Sequence, residues 1–289
     1  MAVSNRILRV RRVRGEEAYI YGLKERAKRH HCLGYGTFSV DLTALEALRR
    51  QYSRTVRPIT SVPVYIKATA LAIARHPEAN AILFKRPFGL KIAQFEQVDV
   101  NLPITRRASE GRADPFTFIG TVRGAGEKSL AGIQDELVAL RRGRLEDSFA
   151  IRRYERLARM PLWMARLVHS WMTRSPSFYL KNVGTCGLTF VEGDWYERIF
   201  PIAPTSVVFG IGGARREPVV VHHRIEIRRV LKCTLMVDNY VVQGPTAARL
   251  AKDFKSLLEE PCFIRDEIPA TRRAEPGLPQ DADAGWNRA

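Results

Sequence analysis

Long apolar runs, paired cysteines and acidic charge are what this chain has least of. No stretch approaches the ~18 consecutive apolar residues that a membrane span requires, and the opening Met-Ala-Val-Ser-Asn-Arg has no apolar segment of the kind a secretory leader carries. A cytoplasmic protein is expected. The four cysteines, Cys32, Cys186, Cys233 and Cys262, lie far apart with no CxxC pair. Neither a zinc site nor a disulfide framework is indicated, and the expectation is four buried small hydrophobes and no metal.

The shortage of acid leaves 47 Lys and Arg against 30 Asp and Glu, a formal charge of +17. Such a balance favours anionic partners: nucleic acid, anionic lipid or a phosphorylated cofactor such as coenzyme A. The arginines recur along the whole chain, however, and no zinc-finger or RNP-like motif accompanies them. Nucleic acid is therefore not the expected partner.

What is present is a mixed order of helices and strands. Residues 15 to 31 read as a charged helix and Thr37 to Leu42 as a strand, followed by a helix with Leu45, Leu48 and Tyr52 at three and four spacing. SVPVYIKATALAIARH, from Ser61 to His76, is apolar nearly all round, so it predicts a central buried helix, with Pro63 in the first turn and Pro77 as the stop. Short strands are expected at 81–84, 89–93, 98–105 and 116–122, then a helix from Ser129 with one apolar stripe. Strands resume at 187–191, 206–211, 218–221 and 225–237, the last pair turning near His222-His223, before a helix over 245–259 stopped by Pro261. Residues 150 to 175 read as a basic helical stretch in which Trp163, Leu167 and Trp171 stand among arginines. Core or subunit packing is one reading of it; docking on an anionic membrane at the inner face is the other.

Several collinear segments resemble the catalytic domain of the 2-oxo acid dehydrogenase acyltransferases. They include IKATALAIARHPEANAI (66–82), VDVNLPITRR (98–107), KSLAGIQDELVALRRG (128–143), GTCGLTFVEG (184–193), PIAPTSVVFGIGGARREPVV (201–220) and TLMVDNYVVQGPTAARL (234–250). The resemblance covers about residues 5 to 262. It implies an α/β (α+β) chloramphenicol acetyltransferase-like fold, a mixed sheet flanked by helices, assembled as a homotrimer with active sites in channels between subunits. It also implies a coenzyme A thioester as substrate, from acyl-CoA or an acyl carrier protein. One domain is expected over 1–264, with a basic helical insertion at about 145–180 and a disordered tail over 265–289. The chain begins almost directly at the resembling region, so no lipoyl attachment is expected in it.

The chemistry departs from the family. Where its members carry Asp-His-Arg-x-x-Asp-Gly, this chain has Asp238-Asn239-Tyr240-Val241-Val242-Gln243-Gly244. The resemblance makes that histidine a base that takes a proton from a thiol. Asn239 has no basic nitrogen near neutral pH, so it can hydrogen-bond a substrate but not deprotonate one. Asp238 matches an aspartate of structural role, Gln243 replaces the second aspartate, and Gly244 completes the motif. The family's oxyanion hydroxyl aligns with Phe190, or, one residue displaced, with Thr189, which on a strand faces the other way. His31, near the strand entry, is the best alternative base; His30, His76, His169, His222 and His223 read as structural or surface residues. Two function classes stay open: an acyltransferase with altered machinery, and an inactive homologue that binds an acyl ligand or acts as a scaffold.

Overall fold

The two segments that carry the motif residues are neighbours in the sheet although they lie far apart in sequence. In the computed structural model, which describes residues 31–86, 89–106, 116–142, 175–191 and 195–270 with 163, 164, 167 and 193 as single positions, β1 (Leu33–Asp41) runs antiparallel to β8 (Arg224–Asp238), pairing Leu33 with Asp238. Between them in sequence come β2 (Ala81–Arg86), β3 (Gly89–Gln94), β4 (Val100–Arg106), β5 (Phe116–Val122), β6 (Cys186–Phe190) and β7 (Val207–Val221). The main sheet has the order β1-β8-β7-β6-β4-β5, parallel only where β6 meets β4 and β7, while β2 and β3 form a separate two-stranded ribbon. The two segments of that ribbon pair only with each other.

The helices are α1 (Thr43–Thr55), α2 (Ser61–Ala74), α3 (Leu130–Arg142), α4 (Pro176–Asn182), α5 (Gly244–Glu259) and α6 (Cys262–Asp266). As its composition predicts, α2 is enclosed: Val64, Ile66, Ala68, Ala70, Ala72 and Ile73 are fully buried. It lies against α3 and α5. On α5 the apolar stripe Leu250, Phe254 and Leu257 faces the sheet, where Phe254 stacks on Phe209 of β7 with ring centroids 4.1 Å apart. Burying a ring of that size contributes about 2–3 kcal/mol. The helices thus form a layer whose apolar sides close one face of the sheet.

Two polar contacts fix the loop before α3. The buried Lys67 donates to the carbonyls of Gly126 and Lys128 at 2.8 and 2.5 Å, and its desolvation pushes the ammonium below the ordinary lysine value. Glu267 accepts from the first helical N–H, that of Leu130, at 3.0 Å. Together with Ile268, 1% exposed, this packs the first residues of the expected 265–289 tail on the body; 271–289 lie outside the described residues.

The hairpin expected at His222-His223 forms there, with both histidines at positive φ (47° and 65°). It is longer than expected. β7 and β8 are each 15 residues and continue beyond the sheet as a two-stranded arm after an irregularity between Ile211 and Ala214. The helix expected at 15–31 and most of the basic stretch at 150–175 lie outside the described residues; Trp163 and Leu167 are exposed. Cys186 and Cys233 are buried as expected, with their thiols pushed up by desolvation, but Cys32 and Cys262 are exposed.

Candidate active site

The turn from β8 into α5 is built around Asp238. Its backbone carbonyl accepts from the N–H groups of Val241 and Val242 at 2.9 and 2.8 Å, and Val242, fully buried, pins the far side. Gln243 follows in an extended conformation at the N-cap, where its side chain makes no capping bond, and Pro245 supplies a first-turn residue with no N–H to satisfy. A Cβ on Gly244 would meet nothing within 4 Å. That motif position therefore imposes no steric demand in this chain.

The Asp238 carboxylate is wholly buried and accepts three hydrogen bonds. His31 Nδ1–H donates at 2.6 Å to Oδ2; the N–H groups of Cys32 and Tyr240 donate at 3.0 and 3.1 Å to Oδ1. Desolvation would push this acid up, but the hydrogen bonds, that of His31 foremost, outweigh it and hold the carboxyl below the usual carboxylate value. Facing a carboxylate, His31 carries a proton on Nδ1, while its Nε2 is shielded from solvent and without a hydrogen-bond partner among the described residues.

Whereas Asp238 is buried, Asn239, the first residue of the turn after β8, is exposed. Its backbone N–H donates to Cys32 O at 2.8 Å. The side-chain amide lies over β1 in the space that Gly34 leaves open, where a Cβ would come within 2.7 Å of Nδ2. His31 therefore clasps the buried aspartate, and the exposed amide occupies the position expected of a base.

The second group of candidate residues is elsewhere. A cavity of about 350 Å³ lies between β4, β5, β6 and β7 under the segment 199–205, and Thr189 is on its wall. Phe190, one residue on, turns the opposite way and packs on the core. The alternation thus puts the hydroxyl on the cavity side and the ring away from it. The covering segment lies directly on β7 because glycines allow it: a Cβ on Gly212 would sit 2.1 Å from Glu197 O, and one on Gly210 2.7 Å from Ile199 O. Tyr35 and Tyr179 hold it by donating to the carbonyls of Pro201 and Pro204 at 2.8 and 3.0 Å.

Within one chain the structure does not bring the two groups together, since neither His31, Asp238 nor Asn239 lines the Thr189 cavity. His76 Nε2–H donates to Asp253 at 2.7 Å beside the end of α2, and His222 and His223 make the hairpin turn, so neither group enters a candidate site. His30 and His169 lie outside the described residues. Sequence reasoning missed the cavity walls contributed by the segment 199–205; the proline-bracketed PIAPT was the signal available. Among the described residues no cluster of three or more His, Cys, Asp or Glu is arranged to hold a metal.

A family model for the 2-oxoacid dehydrogenases acyltransferase (catalytic domain) matches residues 171–264, which contain the Thr189 strand and the Asp238 turn. Over those residues the chain is similar to that domain. The dihydrolipoyllysine-residue acetyltransferase component of the pyruvate dehydrogenase complex of Bacillus subtilis is 23% identical over 237 residues, 78% of this chain and 44% of the relative. The corresponding protein of Zymomonas mobilis is 26% identical over 238 residues, 80% of this chain and 45% of the relative. The chain thus spans less than half the length of these two acetyltransferases. The cubic core of the pyruvate dehydrogenase multienzyme complex superposes with a TM-score of 0.64 at 19% identity, covering 90% of this chain and 94% of that one. A truncated 2-oxoacid dehydrogenase catalytic core from Thermoplasma acidophilum gives 0.61 at 17% identity, covering 88% and 99%. The mixed sheet with its helical layer is the acyltransferase-core fold that the sequence resemblance implies.

Proposed function

We propose that the protein transfers an acyl group from a thioester of coenzyme A or an acyl carrier protein to an acceptor, with machinery changed at the base position. The observation that carries this reading is the Thr189 hydroxyl, which makes no hydrogen bond among the described residues and stands on a cavity wall. Such a donor is placed to hydrogen-bond a thioester carbonyl and the oxyanion that forms from it. The acceptor's lone pair makes the new bond to the carbonyl carbon, the carbon–sulfur bond breaks, and the acceptor's proton passes to the departing thiolate or to water.

Asn239 shapes what that acceptor is. Its amide can orient a nucleophile by hydrogen bonding but cannot remove a proton, and a missing base costs about 10²- to 10⁴-fold in rate. A neutral amine, which attacks before losing its proton, suffers less from this than a thiol. His31 acts here as a positioning residue: its Nδ1–H is committed to Asp238, and its Nε2 is sealed off on the buried side. The Thr189 and Asn239 groups, apart within one chain, would meet between subunits of a homotrimer. The arm of β7 and β8 supports self-association, since Val220, Ile225 and Ile227 are each about three-quarters exposed along it.

Incubating the protein with a panel of acyl-coenzyme A donors and amine, alcohol and thiol acceptors, with products read by mass spectrometry, tests this reading. Transfer above the buffer rate supports it, and neither binding nor turnover with any donor sinks it. The second reading, an inactive acyl-binding homologue, is favoured by the Asn239 amide itself. Under that reading thioesters bind without turnover and Asn239→Ala changes no rate.

A further inference from the structure

The cavity beside Thr189 has a composition that selects its ligand. Its walls include Leu102, Ile119, Leu188, Ile202 and Val208, and among the described residues no Asp, Glu, Lys, Arg or His lines it. Four side chains on the wall carry hydrogen-bonding groups, Asn101, Thr117, Thr189 and Thr205. Three are already engaged within the protein. Asn101 Oδ1 accepts from the Thr121 hydroxyl and the Gly184 N–H at 2.8 and 2.9 Å, the Thr117 and Thr105 hydroxyls pair at 2.9 Å, and Thr205 donates to Val207 O at 3.2 Å. Among these hydroxyls only that of Thr189 makes no hydrogen bond among the described residues, and it is left for a ligand beside the Asn101 Nδ2 amide.

A cavity with aliphatic walls and a single free hydroxyl suits a group with one carbonyl oxygen and an apolar remainder. Its size says more. At about 30 Å³ for each water's share of liquid volume, a space of about 350 Å³ is far larger than a two-carbon acyl group fills. An acetyl group would leave most of it holding water against aliphatic walls, an unfavourable arrangement that a longer chain removes. A carboxylated acyl group such as succinyl would have to bury its charge where, among the described residues, no cationic side chain lines the wall.

We infer that this cavity is an acyl pocket, in which Thr189 holds the carbonyl of a thioester and the aliphatic walls take an uncharged acyl chain longer than acetyl. The inference rests on the acyl-transfer reading and adds the class of acyl group. It also assigns specificity to residues that the motif does not contain, Ile202 and Ala203 on the segment over the cavity.

The test is calorimetric titration of the intact protein with acetyl-, butyryl-, hexanoyl- and succinyl-coenzyme A in one buffer at one salt concentration. The affinity is expected to rise about fourfold for each methylene that enters the pocket, with succinyl binding at least tenfold more weakly than butyryl. Ala203→Phe, which puts a ring into the cavity, should flatten the butyryl-to-hexanoyl gain to within twofold. The chain-length series on the unaltered protein stands by itself should that variant fold poorly. Equal affinities along the series, or succinyl binding as well as butyryl, would overturn the pocket while leaving thioester binding and the acyl-transfer reading intact. A well-folded Ala203→Phe protein that keeps the full gain would also overturn it. No binding of any thioester would remove the acyl-transfer reading and the pocket together.

Discussion

Asp238 and Asn239 are adjacent and do opposite things. Asp238 gathers three donors in the core, so Asp238→Ala would leave His31 and the N–H groups of Cys32 and Tyr240 facing a void. A loss of about 3 kcal/mol is expected, read from denaturant midpoints. The same carboxylate sets an acid limit. Its folded value lies below the unfolded one, so the stability it contributes is present above the usual carboxylate range, about pH 4, and is lost as pH falls through the folded value. Denaturant titrations at falling pH should show wild type losing that increment, whereas Asp238→Asn should lack it at every pH. Asn239 contributes little to folding, being exposed, and Asn239→His would put an imidazole at the base position. If the acyl-transfer reading holds, thiol-directed turnover should rise by about 10²-fold or more in the variant, in a stopped assay of free coenzyme A; an unchanged rate would mean that more than the base is missing.

At the scale of elements, the covering segment and the hairpin each depend on backbone features that single substitutions probe. Gly212 lies under Glu197 O so closely that an added methyl cannot fit against the rigid backbone. Gly212→Ala should detach the segment 197–205 or cost more than about 2 kcal/mol, visible as faster proteolysis there and a lower thermal midpoint. The hairpin turn holds two histidines at positive φ, a conformation that Asn-Gly adopts with less strain. Replacing His222-His223 by Asn-Gly should therefore raise stability by about 0.5–1 kcal/mol. The long single strands that the hairpin joins were not legible as such: the sequence splits them into short alternating pieces, because Arg215, Arg216 and Glu217 interrupt the apolar pattern where β7 leaves the sheet. Only cross-strand pairing carries them through.

For the whole molecule the question is how two half-sites become one. The arm with Val220, Ile225 and Ile227 exposed is the surface through which copies of this chain are proposed to associate. Ile227→Glu should then lower the sedimenting mass toward that of a single chain in analytical ultracentrifugation, with an unchanged circular dichroism spectrum. An unaltered assembly would place the contact elsewhere. A fall in transfer activity in step with dissociation is also expected, since Thr189 and Asn239 do not meet within one chain.

The elements whose local pattern agrees with their burial were legible from sequence alone. α2 is apolar all round and enclosed, α5 carries one stripe and presents it to the sheet, and Pro63, Pro77 and Pro261 mark boundaries because a proline ring acts on its own neighbours. The altered motif was legible too, since the absence of a basic nitrogen at Asn239 is a property of the residue. Distance in sequence hid the rest. His31 and Asp238 are 207 residues apart, and nothing local says that one ring nitrogen is committed to that carboxylate and the other sealed away. Whether Thr189 or Phe190 faced the cavity was a matter of one residue's register, and β4 and β7, pairing on either side of β6, settled it. Side-chain chemistry belongs to the residue, whereas facing, burial and hydrogen-bond partners belong to whatever strand or helix packs beside it, and so only the tertiary structure decides them.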